Sequence, residues 1–114
     1  MSKARIILAV IILPVCGAGC FDRDPPDLHS REASLKIPAI KAAVDDHDTN
    51  ALPELVHDLD SSDPAVRFYA IEGLQRLTGE TFNYHYYDEY EQRRPAVLKW
   101  RAWLAAHQPG STKE

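Results

Sequence analysis

The sequence predicts an all-α fold, a short stack of about four helices behind a non-globular N-terminal segment. Three observations predict it. From Glu32 onward apolar residues recur at helical spacing, the turns between those runs carry Asp-Pro and Gly punctuation, and no segment shows the period-two alternation and β-branched enrichment of a strand. A chain of 114 residues, 45% hydrophobic and 26% charged, has the composition of one small globular domain.

The first twenty residues read as an address. Met1 to Arg5 is short and basic, Ile6 to Val15 is apolar and broken only by Pro14, and Cys16-Gly17-Ala18-Gly19-Cys20 follows. This is the three-part layout of an export signal. A spanning helix is the competing reading, but it needs about 20 apolar residues, and Pro14 and the glycines interrupt the run first. Gly17-Ala18-Gly19-Cys20 resembles a bacterial lipobox, in which the terminal Cys receives diacylglycerol and cleavage falls just before it. Gly19 and Ala18 supply the small residues that motif needs, whereas Gly17 stands where the family usually has Leu. Cys16, three residues after Leu13, is the second candidate, with Pro14 and Val15 crowding its cleavage position. Lipidation at Cys20 leaves no free thiol. A Cys16–Cys20 disulfide is the alternative for an exported chain, but it staples nothing outside a core.

Net charge is −4, and with Lys3 and Arg5 in the signal only 11 of the 13 basic residues remain against 17 acidic ones. Such a surface repels phosphate backbones, so nucleic acid is not an expected partner.

Phe21 to Ser30 (FDRDPPDLHS) has two prolines, three aspartates and no apolar periodicity, and reads as a tether. Extended at about 3.1 Å per residue it reaches roughly 30 Å from the lipid surface. The expected division is residues 1–19 signal peptide, 20–31 lipidated Cys and flexible tether, 32–108 helical domain and 109–114 disordered tail.

In the first helix Ile37, Ile40 and Val44 share a face, Ala39, Ala42 and Ala43 permit close approach, and Pro38 suits a first turn, which puts the start near Leu35 or a kink there. Asp45-Asp46-His47-Asp48 closes it in a charged turn. A second helix near Ala51 to Leu59 carries Leu52, Leu55, Val56 and Leu59 at i, i+3, i+4 and i+7. Asp63 then caps a third helix with Pro64 at its first position, and Gly79 is placed to end it. Val66, Ala70, Leu74 and Leu77 form its inner face. The last helix is expected over Pro95 to His107, with Val97, Trp100 and Leu104 on one face and Trp103 beside them.

The run from Ala51 to Gly79 resembles a HEAT repeat: Leu52-Pro53-Glu54-Leu55 opens a first helix, Asp63-Pro64 makes the turn, and Val66-Arg67, Ala70 and Leu74 follow at the family's spacing. One unit of about thirty residues is covered. Ile37-Pro38-Ala39-Ile40 is similar to a second opening, but Asp45 to Asn50 leaves no room for its partner helix. Thr78-Gly79-Glu80-Thr81-Phe82-Asn83-Tyr84 followed by a Trp-x-x-Trp helix is similar to the ending of small exported HEAT-like proteins. The resemblance implies a right-handed stack of α-hairpins, capped at its end because a hairpin cannot bury its own stripe.

It also implies that Arg67 bonds a turn aspartate, Asp60 or Asp63, a structural role that competes with ligand binding. Trp100 and Trp103 read as core and rim of the cap helix, or else as an aromatic platform. The densest chemistry is Phe82 to Tyr90, where Tyr84, His85, Tyr86, Tyr87 and Tyr90 stand beside two carboxylates. It is either a partner-contact surface or a lid over the helix ends. His47, His57, His85 and His107 are scattered. His57-Asp58 with Asp45, Asp46 and His47 offers nitrogen and oxygen ligands, but no His pair has i, i+4 spacing and no paired-Cys signature exists, so no metal site is expected. Without a phosphate loop or nucleophile motif, neither catalysis nor a cofactor is expected.

These readings lead to an envelope lipoprotein, lipid-anchored in the cell membrane or outer membrane and facing the periplasm or exterior, that binds or scaffolds another envelope protein through Tyr84 to Tyr90 and the turn Asp45 to Asp48. The alternatives are a small enzyme or cofactor carrier related to the HEAT-like bilin lyases, with His85 between Tyr84 and Tyr86, and a self-associating structural subunit. A clickable fatty acid is expected to label the wild-type chain and not Cys20→Ser. Labelling that survives that change moves the site to Cys16, and none at all removes the anchor.

Overall fold

The computed structural model describes residues 24–107, so the expected export signal, Cys16, Cys20, the start of the expected tether and residues 108–114 lie outside the described residues. Four α-helices follow in order: α1 Ala33–Asp45, α2 Leu52–Asp58, α3 Pro64–Thr78 and α4 Tyr90–His107, with a single 3-10 turn, Thr49–Ala51, leading into α2. The fold is all-α, and among the described residues there is no strand. None of these helices is long and apolar enough to cross a membrane.

The local signals of α3 act as read. Asp63 Oδ1 accepts the Ala65 amide at 2.8 Å, Pro64 sits at the first helical position, and Gly79 closes the helix at φ +82° with its amide donating to the Gln75 carbonyl. An L side chain at that φ is strained, so glycine ends the helix without penalty.

The two interior prolines depart from expectation. Pro38 and Pro95 each stand sixth in their helices, so α1 starts at Ala33 and α4 at Tyr90, five residues before the expected start at Pro95. A proline removes the bond to the carbonyl four residues earlier. Here those carbonyls belong to Ser34 and Glu91, both exposed residues beside water. The extra turn of α4 buries Arg93, whose Nη1 donates to the Asp88 carbonyl at 2.7 Å.

α3 is the central helix, packing against both α1 and α2, and α4 packs on α2. The core gathers Ile40 and Val44 of α1, Leu55, Val56 and Leu59, Ala70, Ile71 and Leu74, then Val97 and Trp100. Close approach of α1 and α3 depends on Gly73 rather than on the α1 alanines, of which Ala42 is exposed: a Cβ built on Gly73 meets Val44 Cγ2 at 2.7 Å. The α1 stripe is also shifted from the expected one, with Lys36 buried beside Ile40 and Val44 and Ile37 only half-buried. Before α1, the tether's last residues fold back: Leu28 packs on the core and the Asp27 amide donates to the Leu35 carbonyl at 3.1 Å.

Gly73→Ala is expected to destabilise by about 1–3 kcal/mol through overpacking, more than the roughly 1 kcal/mol that alanine gains in helix propensity. Combined with Val44→Ala, the loss should be smaller than the sum of the two single losses. Additive losses in chemical denaturation would show that the two side chains do not collide.

Candidate functional site

Two regions concentrate polar chemistry, a cluster on α2 of which the sequence offered only His57 and Asp58, and the connector read from the sequence. On α2, Glu54, His57 and Asp58 occupy i, i+3 and i+4, spacing that puts them on one face. α1 lays Lys36 across that face, its Nζ donating to Asp58 Oδ1 at 2.6 Å and Glu54 Oε1 at 2.9 Å. Lys36 is 7% exposed and Asp58 2%. His29, from the folded-back tether, brings Nδ1 to 3.4 Å from Glu54 Oε2. Together with Ser61 these residues line an open cleft of about 380 Å³.

The titration behaviour follows from one ammonium serving two carboxylates. Burial works against the Lys36 cation, but the hydrogen bonds and charges of Asp58 and Glu54 outweigh it and raise its pKa above the usual lysine value. Burial also opposes Glu54 ionisation, yet Lys36 overrides it and Glu54 titrates below its usual range. At Asp58, the deeper of the two, burial wins over Lys36 and the like charge of Glu54 adds to it, so its carboxyl is held above the usual value. Asp58 Oδ2 accepts no hydrogen bond although it is buried.

The second region is the connector between α3 and α4. It has no helix of its own, and four side-chain donors from the chain hold its backbone and rings in place. Arg67 Nε donates to the Tyr86 carbonyl at 2.9 Å, Trp100 Nε1 to the Thr81 carbonyl at 3.1 Å, Arg93 Nη1 to the Asp88 carbonyl at 2.7 Å, and Tyr84 Oη to the Leu59 carbonyl at 2.7 Å. Phe82 and Asn83 adopt φ near +50° to +57°, a left-handed conformation that such bonding sustains.

The five connector residues singled out in the sequence therefore separate. Tyr84 is buried, its phenol pushed up to about 12 by that burial. It belongs to the core and not to a contact surface. Tyr86 and His85 are half-buried, while Tyr87 is 68% and Tyr90 52% exposed. His85 stacks on Tyr87 at 5.3 Å and faces Asp88 Oδ2 at 3.4 Å. Tyr86 packs edge-on against both Tyr87 and Phe68, at 5.3 and 5.1 Å. Phe68, which the sequence reading passed over, is 39% exposed.

Arg67 is structural, but its guanidinium bonds neither the Asp60 nor the Asp63 carboxylate; only its backbone amide reaches Asp63, at the carbonyl. Its Nη1 donates to the Ser61 carbonyl at 2.8 Å, so it joins the α2–α3 turn to the connector. Asp63 caps α3, and Asp60 instead pairs with Arg101 of α4 at 2.5 Å. Trp100 is fully buried, and Trp103 lies half-buried at the rim between Trp100 and His107. The acidic turn is exposed and partly engaged: Asp45 pairs with Arg76 at 3.3 Å and Asp48 accepts the Asn50 amide at 3.0 Å.

The chain matches no protein-family model, no curated protein and no solved structure. Lys36, Glu54 and His29 escaped sequence reading, and the available signal was Lys36 itself. It stands four residues before Ile40 and eight before Val44, at a stripe position where a lysine must find carboxylates.

Tyr84 and Lys36 both have raised folded-state pKa values, so each contributes stability that is complete below its usual value, 10.0 or 10.5, and is lost as pH rises through the folded value. Stability should fall steeply toward pH 12, with Tyr84 accounting for about 2–3 kcal/mol of the loss. Tyr84→Phe, which has no phenol to ionise, should flatten that part of the profile in chemical denaturation. A mutant profile as steep as wild type would place the alkaline transition elsewhere.

Proposed function

We propose that the chain is a lipid-anchored envelope protein whose helical domain recognises another envelope protein through Phe68, Tyr86, Tyr87 and His85, with Tyr90 at the margin. The observation that carries this reading is the clamped connector. A segment without regular secondary structure is held by Arg67, Tyr84, Trp100 and Arg93, while Tyr87 remains 68% exposed above it. Rings fixed before binding lose little conformational entropy when a partner arrives, and Tyr combines a large apolar face with a polar tip. A lid alone has no need to leave Tyr87 and Phe68 wet.

Anchoring supports the same reading. A lipidated Cys20 and a Pro-Pro tether hold the domain near the membrane surface, where a modest surface meets its partner at high effective concentration. The HEAT-like hairpin of α2 and α3 is the frame that carries Phe68 on one side of the patch and Arg67 beneath the other.

A photo-crosslinking residue at position 87 of the membrane-bound chain is expected to capture one distinct envelope protein, and Tyr86→Ala is expected to abolish that capture. Tyr87→Ser, at an exposed site, should change stability by no more than about 0.5 kcal/mol. Self-crosslinks alone would favour a structural subunit, and no crosslink with a small molecule co-purifying would favour the carrier reading.

A further inference from the structure

The exposed rings of the connector continue onto α3 as one run. Tyr69 meets Phe68 edge-on at 5.2 Å, Phe68 meets Tyr86 at 5.1 Å, Tyr86 meets Tyr87 at 5.3 Å, and His85 stacks on Tyr87. The chain already sets cations over the flanking rings. Lys41 Nζ stands 5.7 Å from the centre of Tyr69, and the Arg93 guanidinium carbon 5.9 Å from that of Tyr90, both within reach of a cation–π attraction. Among the described residues no cation lies over Phe68, Tyr86 or Tyr87, although Phe68 is 39% and Tyr87 68% exposed.

The charge around these open rings has one sign. Residues 86–92 carry Asp88, Glu89 and Glu91 and no lysine or arginine. On α3, Glu72 stands four residues after Phe68, spacing that makes the two side chains neighbours on the helix surface. Asp88 faces His85, and Glu72, Glu89 and Glu91 are exposed with no ion-pair partner among the described residues. Such a surface repels the phosphates of lipid and nucleic acid, and it repels a second copy of itself. What complements it is a positive group with a flat face.

We infer that this surface takes an arginine-bearing segment of its protein partner, with guanidinium groups over Tyr87 and Phe68 that pair with Glu89 and Glu72. The inference rests on the recognition reading and names the chemistry of the partner. A guanidinium is planar and weakly hydrated, stacks on an aromatic face and still donates to a carboxylate, whereas a lysine ammonium is a strongly hydrated point charge. The connector is set for this before binding, because Arg67 holds the Tyr86 carbonyl and Arg93 the Asp88 carbonyl on either side of Tyr87.

The test titrates the full chain in a non-ionic detergent with a fluorescein-labelled peptide of alternating arginine and serine, and with peptides carrying lysine or glutamate in place of arginine. The arginine peptide should bind saturably, the lysine peptide about threefold or more weakly, and the glutamate peptide not at all. Salt raised from about 0.05 M to about 0.5 M should weaken arginine-peptide binding several-fold, since exposed charges are screened. Tyr87→Leu, Glu89→Gln and Glu72→Gln should each weaken it about two- to fivefold with helical dichroism unchanged. Glu80→Gln, at the opposite end of α3 from Phe68, should leave it unaltered. No saturable binding at millimolar arginine peptide, equal binding of the glutamate peptide, or binding that Glu72→Gln and Glu89→Gln do not weaken overturns the inference. Photo-capture of an envelope protein at position 87 that survives both of those changes leaves recognition standing and overturns the arginine requirement alone. Arginine-selective peptide binding with no protein captured supports the arginine site and removes the envelope-protein reading.

Discussion

The Lys36 ammonium, buried between Glu54 and Asp58, is the constraint around which the first half of the domain is arranged. It joins α1 to α2, two helices that each pack chiefly on α3, and it meets both carboxylates only when one particular turn of α1 faces one particular turn of α2. Hydrophobic contacts tolerate sliding; an ion pair with bonds of 2.6 and 2.9 Å does not. Losing one partner of such a pair costs about 3–5 kcal/mol, because the remaining charge stays buried. That is a large share of a stability on the order of 5–15 kcal/mol. On the other side of α1, Val44 lies against Gly73, where no Cβ would fit, so α1 is held by an ionic contact to α2 and a close apolar one to α3.

In the second half, the work of alignment passes to aromatic and guanidinium donors. A domain of this size has few layers, and an eleven-residue connector cannot be buried without leaving carbonyls unpaired. Tyr84 and Trp100 resolve the conflict by burying their rings and sending their polar tips to Leu59 and Thr81, respectively. Arg67 and Arg93 reach the carbonyls of Tyr86 and Asp88 from the flanking helices. What remains outward is Tyr87 with His85 against it and Phe68 beside Tyr86. The groups that fix the connector and the rings left exposed on it are thus different side chains.

The cleft and the aromatic patch are both fed by the α2–α3 turn. Ser61 lines the cleft and gives its carbonyl to Arg67, which in turn holds Tyr86. Asp60, next to it, ties α4 through Arg101.

The sequence by itself determined those parts whose energetics are local. The Asp63-Pro64 start and Gly79 end of α3 were legible because a cap bonds amides within three residues and a left-handed φ selects glycine, whatever the rest of the chain does. The Leu52, Leu55, Val56 and Leu59 stripe was legible because burial at period 3.6 leaves its mark on every turn, and the all-α class followed from it. Only the tertiary structure decided the contacts made across distance. Whether Pro95 begins α4 or sits inside it depended on Arg93 finding the Asp88 carbonyl. Arg67 found carbonyls instead of Asp60 because α4 brings Arg101 to that aspartate. Tyr84 and Tyr87 are the same residue type in one short segment, and they differ because Leu59, twenty-five positions earlier, offers its carbonyl to Tyr84 alone. Lys36, Glu54 and His29 come from three segments, and no spacing along the chain records that folding places them around one point.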